Sequence, residues 1–216
     1  METEALRGSN RVYRSLGIKG PRDRGLGAPR VVKLLSCLLE QAVCINEKRV
    51  ETEEIKETMT VFHGVRAPSL SISQYVERIF KYTCCSASCF VVAHIYVNQF
   101  LQRSGVLLTS LNVHRLLITS IMLAAKFLDD AFFNNAYYAK VGGVSTAELN
   151  KLEMKMLFTL DFRLQVHLIA FQEHCLHMDK EGSDGFQIER PLQACRVNES
   201  WMNKDESNNC TSRIAR

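Results

Sequence analysis

The chain has 216 residues, 46% of them apolar, with only 4 prolines and 11 glycines, which suits one helical domain with a real core and excludes a turn-rich all-β fold. The formal net charge is +4, yet residues 1–30 carry seven basic and three acidic side chains, so the whole surplus lies there and the rest is balanced. A neutral body lacks the basic face of a nucleic-acid-binding domain, and the longest apolar stretch, residues 116–128, is shorter than the roughly 20 residues of a membrane span and is broken by Thr119, Ser120 and Lys126.

Residues 1–28 are rich in arginine and glycine and show no hydrophobic period, so they read as a disordered basic tail. A targeting peptide would also be Arg-rich, but Glu2, Glu4 and Asp23 count against one, and no apolar segment of a secretory signal is present. The domain is expected over residues 29–178. A first helix follows Pro29, with Val31, Val32, Leu34, Leu35, Leu38, Leu39, Ala42 and Val43 on one broad face. Residues 51–60 suit a short charged helix, and His63, Gly64 and Pro68 mark a loop.

Ser71 and Gln74 have the spacing of a capping box, with Leu70 and Tyr75 placed as a hydrophobic staple. Ile72, Tyr75, Val76, Ile79, Phe80 and Thr83 then line one face of the helix it opens. The next two helices, about 88–103 and 112–128, are apolar around most of their circumference. Gly105 is placed to end the first. A helix that is apolar all round and too short to span a membrane belongs at the centre of a bundle. A short helix over about 134–140 runs into Gly142-Gly143, which read as a positive-φ terminator, since no Gly-x-x-x-x-Gly-Lys phosphate loop surrounds them. Ser145 and Glu148 form a second capping-box pattern, opening a helix that carries Leu149, Leu152, Met156, Leu157 and Leu160. A last helix is expected over about 166–177. From Asp179 to residue 216 the chain is polar and reads as a mobile tail. The fold class is all-α: five core helices with one more packed outside at each end.

Candidates for chemistry are few. Of eight cysteines, Cys84, Cys85 and Cys89 form C-C-x-x-x-C, which is no metal-ligand spacing, and no His pair follows. They read as reduced thiols of a protein of the nucleus and cytoplasm. His94, His114, His167, His174 and His177 are dispersed and accompany no Cys/His or Ser/His/Asp pattern. No catalytic residue, cofactor or metal is therefore expected. Asp129-Asp130 reads as a polar helix end rather than a metal site.

Two stretches are more specific. Residues 123–130 read Ala-Ala-Lys-Phe-Leu-Asp-Asp after Leu123, and residues 137–145 read Tyr-Tyr-Ala-Lys-Val-Gly-Gly-Val-Ser, followed by Glu153, Leu157, Leu160 and Phe162 in an E-x-x-x-L-x-x-L-x-F pattern. From about residue 50 to 177 this resembles a single-box cyclin, in particular the plant P-type or U-type cyclins and the yeast Pho80-like group. The resemblance implies a five-helix cyclin box that binds and activates a cyclin-dependent protein kinase, in cell division or phosphate-nutrient signalling. It implies no catalysis, nucleic acid or membrane. It also implies that Lys126, at the end of box helix three, and Glu153, in box helix five, reach the kinase. Phe127, Asp129, Asp130 and Leu149 complete the expected kinase interface.

Read without the resemblance, Lys126 could be a solvated cation at a helix end, and Glu153 a surface partner of Lys151 or Lys155, though neither has i+4 spacing. Helix one reads Tyr-Val-Glu-Arg-Ile-Phe over residues 75–80 and lacks the M-R-A-I-L run of the larger cell-cycle cyclins. The remainder after residue 165 is too short for a second box. The alternative function is a cyclin-fold transcription adaptor that binds no kinase, for which a basic face would be the discriminating feature.

Overall fold

The computed structural model describes residues 10–18, 27–53 and 58–184, and every regular element among them is helical. Residues 10–15 form α1. The others are α2 (Arg30–Glu53), α3 (Ile72–Thr83), α4 (Ala87–Ser104), α5 (Val113–Leu128), α6 (Asn135–Gly142), α7 (Thr146–Thr159) and α8 (Leu168–Asp184). The five helices α3 to α7 form the box. The outer layer is α1, α2 and α8, with α2 and α8 packed on each other and on α4.

Local chemistry fixes the box helices where their caps are written. Ser71 Oγ accepts from Gln74 N, and Gln74 Oε1 accepts from Ser71 N, both at 3.2 Å, a complete capping box. Ser145 Oγ accepts from Glu148 N at 3.1 Å. The Glu148 carboxylate, however, leaves its own helix and pairs with Arg115 at 2.5 Å, so only half of that box forms. Asn134 caps α6 by accepting from Tyr137 N at 3.0 Å. Gly105 ends α4 with φ +65° and its N–H on the Leu101 carbonyl.

α5 runs through the middle, buried on all sides from Val113 to Ala125 except at Arg115. Its entry is held by buried Asn112, whose Oδ1 accepts from Thr109 N at 3.0 Å and whose Nδ2 donates to the Leu107 carbonyl at 2.8 Å. Phe62, from the loop before α3, is fully buried and meets Phe100 of α4 edge-on at 4.8 Å. Each such large apolar side chain contributes about 1.5–3 kcal/mol by leaving water.

The two glycines closing α6 do different work. Gly143 has φ +71°, the left-handed C-cap. Gly142 is still helical and packs tightly: a Cβ there would sit 2.7 Å from Ile118 Cγ1 and 3.2 Å from Tyr75 Oη. Positive φ therefore belongs to Gly143 alone, and Gly142 is small because α6 touches α5.

Three boundaries differ from the sequence reading. Residues 10–18, read as tail, are structured: Tyr13 and Leu16 are buried, and Val31 N donates to the Leu16 carbonyl at 3.1 Å. The rest of the basic tail lies largely outside the described residues. α8 continues to Asp184, so the tail does not begin at Asp179. The Asp179 carboxylate accepts from the Arg30 guanidinium and from the Ser15 hydroxyl, which ties α8 to α2 and to the end of α1. A separate helix over 51–60 is absent: residues 51–53 finish α2, 58–60 are irregular, and 54–57 lie outside the described residues.

Candidate functional site

α5 ends at Leu128, where the Asp129 N–H closes onto the Ala125 carbonyl at 3.0 Å and the backbone turns extended. This brings Lys126 to the surface on the last turn, facing the middle of α7. Lys126 Nζ donates to Glu153 Oε1 at 2.7 Å. Asn135, the first residue of α6, donates to Glu153 Oε2 at 2.6 Å and to Asn150 Oδ1 at 2.7 Å. Three helix segments thus meet at one carboxylate. The side chains of Lys126 and Glu153 keep 26% and 15% of their surface exposed, so the pair lies at the surface in a fixed geometry. Glu153 does not pair with Lys151 or Lys155, whose side chains are exposed to solvent.

The same helix segments expose several large apolar side chains. Phe127 and Leu128 at the end of α5, Met154 and Phe158 on α7, and Phe162 just after it are all exposed. Phe158 and Phe162 stand edge-to-face at 5.3 Å. Phe162 has φ +55°, and preceding Asp161 has φ +56°. Two consecutive non-glycine residues in the left-handed region cost backbone energy, and the turn they make sets the Phe162 ring beside Phe158. Exposed apolar side chains on the same helix segments as a polar pair have the character of a protein-binding face.

The other expected interface residues are placed differently. Asp129 faces inward: its Oδ2 accepts from Ser86 N at 2.9 Å and from the Cys89 thiol at 3.4 Å. The Ser86 side chain makes no cap bond, so the Asp129 carboxylate serves as the N-terminal acceptor of α4, where the helix dipole favours a negative charge. The Cys85 contact, then burial, push the Cys89 thiol up, which keeps it protonated and donating. Asp130 is exposed. Leu149 is 0% exposed and belongs to the core, so it has no surface to offer a partner. Met154, Phe158 and Phe162 were not among the expected site residues. The available signal was that Met154 and Phe158, four apart, fall off the Leu149, Leu152, Met156 and Leu160 stripe.

Among the described residues the cysteines and histidines form no metal-binding cluster. Cys85, Cys89 and Cys175 are buried, whereas Cys44 and Cys84 are exposed, so the reading of the cysteines as small core residues holds for part of them. Among the described residues no group of three His, Cys, Asp or Glu side chains could hold a metal ion, and no helix is long and apolar enough to cross a membrane.

The cyclin family model matches residues 30–164. The chain is 49% identical over 207 residues to Cyclin-U3-1 of Arabidopsis thaliana, covering 95% of this chain and 94% of that one. It is 52% identical over 183 residues to Cyclin-P3-1 of Oryza sativa subsp. japonica, covering 84% of this chain and 77% of that one. It is 50% identical over 167 residues to Cyclin-U1-1 of Arabidopsis thaliana, covering 76% and 80%.

Proposed function

The chain belongs to the cyclin family, and on that premise we propose that it binds and activates a cyclin-dependent serine/threonine protein kinase through the face formed by the end of α5 and the outer side of α7. Cyclins are regulatory subunits, so the chemistry is the kinase's own. The observation that carries the proposal is the Lys126–Glu153 pair at 2.7 Å, on helix segments that also expose Phe127, Leu128, Met154 and Phe158. These are the two positions that the cyclin resemblance assigns to kinase contact, and here they are bonded to each other.

The arrangement suits that task physically. An ammonium has three N–H donors, and Glu153 takes one. The other two can reach carbonyl oxygens at the end of a kinase helix or loop. Asn135 and Lys126 hold both oxygens of Glu153, so its carboxylate is oriented before a partner arrives, and its remaining lone pairs can accept backbone amides. Pre-ordering reduces the entropy lost on binding. The flanking aromatic rings then supply apolar area and exclude water, and hydrogen bonds to charged groups are worth about 1.5–3 kcal/mol. Shifting a kinase from 1:99 to 99:1 in favour of its active arrangement requires about 5.5 kcal/mol of differential binding. Two charged anchors with exposed apolar side chains are of that order. The complex would act in the nucleus and cytoplasm, in cell division, in phosphate-nutrient signalling or in both.

The test is co-purification with a panel of cyclin-dependent kinases, followed by phosphate transfer to histone. The expected result is a stoichiometric complex with at least one kinase and an increase in its activity. A folded, helical protein that retains no kinase from the panel would contradict the proposal and favour the adaptor function.

A further inference from the structure

At the opposite end of α5 lies a second concave site. His114 is twelve residues before Lys126, about 18 Å away at 1.5 Å per helical residue. Here α3, α5, α6 and the loop before α3 enclose a cavity of about 290 Å3. Its lining includes Arg66, Arg78, Arg115 and His114 and no acidic side chain. Among the described residues, the carboxylate bonded to a lining arginine is Glu148, on Arg115 Nη2 at 2.5 Å.

The arginines are held from behind. Arg115 Nη1 donates to the His63 carbonyl at 2.5 Å, and Arg78 Nε donates to the Val141 carbonyl at 2.9 Å. Among the described residues, the outer nitrogens of Arg78 and the guanidinium of Arg66 have no protein acceptor. His114 Nε2 bonds to the Leu70 carbonyl at 2.9 Å, and the ring stands edge-on to Tyr75 at 4.7 Å. The His114 side chain is 9% exposed, and its Nδ1 is buried without a partner. Buried polar atoms are nearly always satisfied. With Nε2 donating, Nδ1 is an acceptor that a phosphate cannot satisfy, so the ligand is read from the free guanidinium N–H groups, donors that line the cavity and await acceptors.

We propose that this cavity binds a phosphorylated side chain on a peptide segment of a partner protein. Three guanidinium groups against one carboxylate leave an excess of two positive charges, the complement of a phosphomonoester dianion. The guanidinium fork matches phosphate oxygens in pairs. The volume exceeds that of the anion alone, and Pro68, Leu70 and Leu111 provide apolar walls for the residue that carries it. Glu148 and the carbonyls of His63 and Val141 hold Arg115 and Arg78 in place, so the site exists before the ligand arrives.

The test is calorimetric titration of the full chain with a phosphoserine pentapeptide, its unphosphorylated counterpart and inorganic phosphate. Saturable binding of the phosphopeptide at least tenfold tighter than either control is expected, with a shift of the His114 ring-nitrogen resonances. Arg66→Gln with Arg78→Gln should weaken it at least tenfold. Arg66→Gln alone removes no internal bond, so it should weaken binding with an unchanged melting temperature. Lys126→Ala with Glu153→Ala should bind the phosphopeptide like the native chain, which separates this site from the kinase face. Equal binding of the phosphorylated and unphosphorylated peptides would overturn the proposal. So would inorganic phosphate binding as tightly as the peptide, or Arg66→Gln binding unchanged.

Discussion

The two sides of α7 carry similar residues and do opposite things. Leu149, Leu152, Met156 and Leu160 lie on the inner side and are essentially fully buried, whereas Met154 and Phe158 stand on the outer side beside Glu153, with Phe158 65% exposed. Both sets are apolar, and both repeat at helical spacing. The inner set follows one continuous stripe of three- and four-residue steps, which is what packing on a neighbouring helix selects. The outer set is a short pair off that stripe, next to a charged residue fixed by two other helices. Apolarity alone does not separate a core from a docking face. Position relative to the core stripe does.

That comparison makes opposite forecasts for its two sides, with the largest effect inside. Leu149→Ala should lower stability by about 2–5 kcal/mol, the range for truncating a buried leucine, measured by urea unfolding. A loss below the resolution of that measurement would mean that the inner side is not packed as described. The same distinction extends to the outer layer, where His174 Nε2 and His94 Nδ1 meet at 2.9 Å between α8 and α4. Burial, with the neighbouring histidines, lowers His94 to about 3 and His174 to about 4.

Both rings are therefore neutral in the native state, while the unfolded chain takes up protons below about pH 6.5. Stability from this contact is complete above that pH and declines as pH falls from about 6.5 towards 4. The decline should be about 4 kcal/mol by pH 5, about 2 from each ring, read as a falling melting temperature. His174→Gln should remove about half of it, because His94 stays buried. Nearby Glu173 and His177 face the same pair from α8, and a pH profile unchanged by His174→Gln would assign the decline to other groups.

Smaller effects come from the junctions around the face. Gly142→Ala forces a Cβ to 2.7 Å from Ile118 Cγ1 and should cost about 1–3 kcal/mol, as overpacking does. Asp129→Ala removes the acceptor at the start of α4 and should cost about 1 kcal/mol, like other lost caps; calorimetry of the two variants would rank them. On the outer side, Phe158→Ala should change stability by less than about 0.5 kcal/mol, as for surface substitutions, while weakening any kinase complex. Destabilisation comparable to Leu149→Ala would erase the proposed difference between the two sides.

The box was legible because its helices announce themselves. Ser71, Gly105, Asn134, Gly143 and Ser145 mark ends by chemistry that acts within one turn, and α5 is apolar enough to locate the centre. Of the outer elements, α2 and most of α8 were legible from their apolar periodicity, but α1 and the end of α8 were not, because their order comes from contacts distant in sequence. Tyr13 and Leu16 are the buried apolar anchors of the N-terminal segment, with Val12 and Ile18 packed beside them, and Asp179 is fixed by Arg30, 149 residues away. No local pattern encodes such pairings. Within the site, Lys126 and Glu153 could be picked from their motifs, but not their bond to each other, which depends on how α5 crosses α7. Leu149 was drawn to the interface by its neighbourhood on the helix and belongs to the core by its angle around it. Asp129 looked like surface because acidic residues usually are, and only the arrival of α4 beside it supplies its donors.

The most direct test of the central claim is the affinity of the Lys126→Ala/Glu153→Ala double variant for the kinase that co-purifies with the native chain. Removing charged partners from an interface costs about 2–5 kcal/mol or more, so binding should fall by at least roughly 30-fold. Helical content should stay unchanged, and because both partners are removed together no charge is left buried and unpaired, so the protein should remain folded with a modestly lower melting temperature. A double variant that binds and activates the kinase as the native chain does would contradict the account.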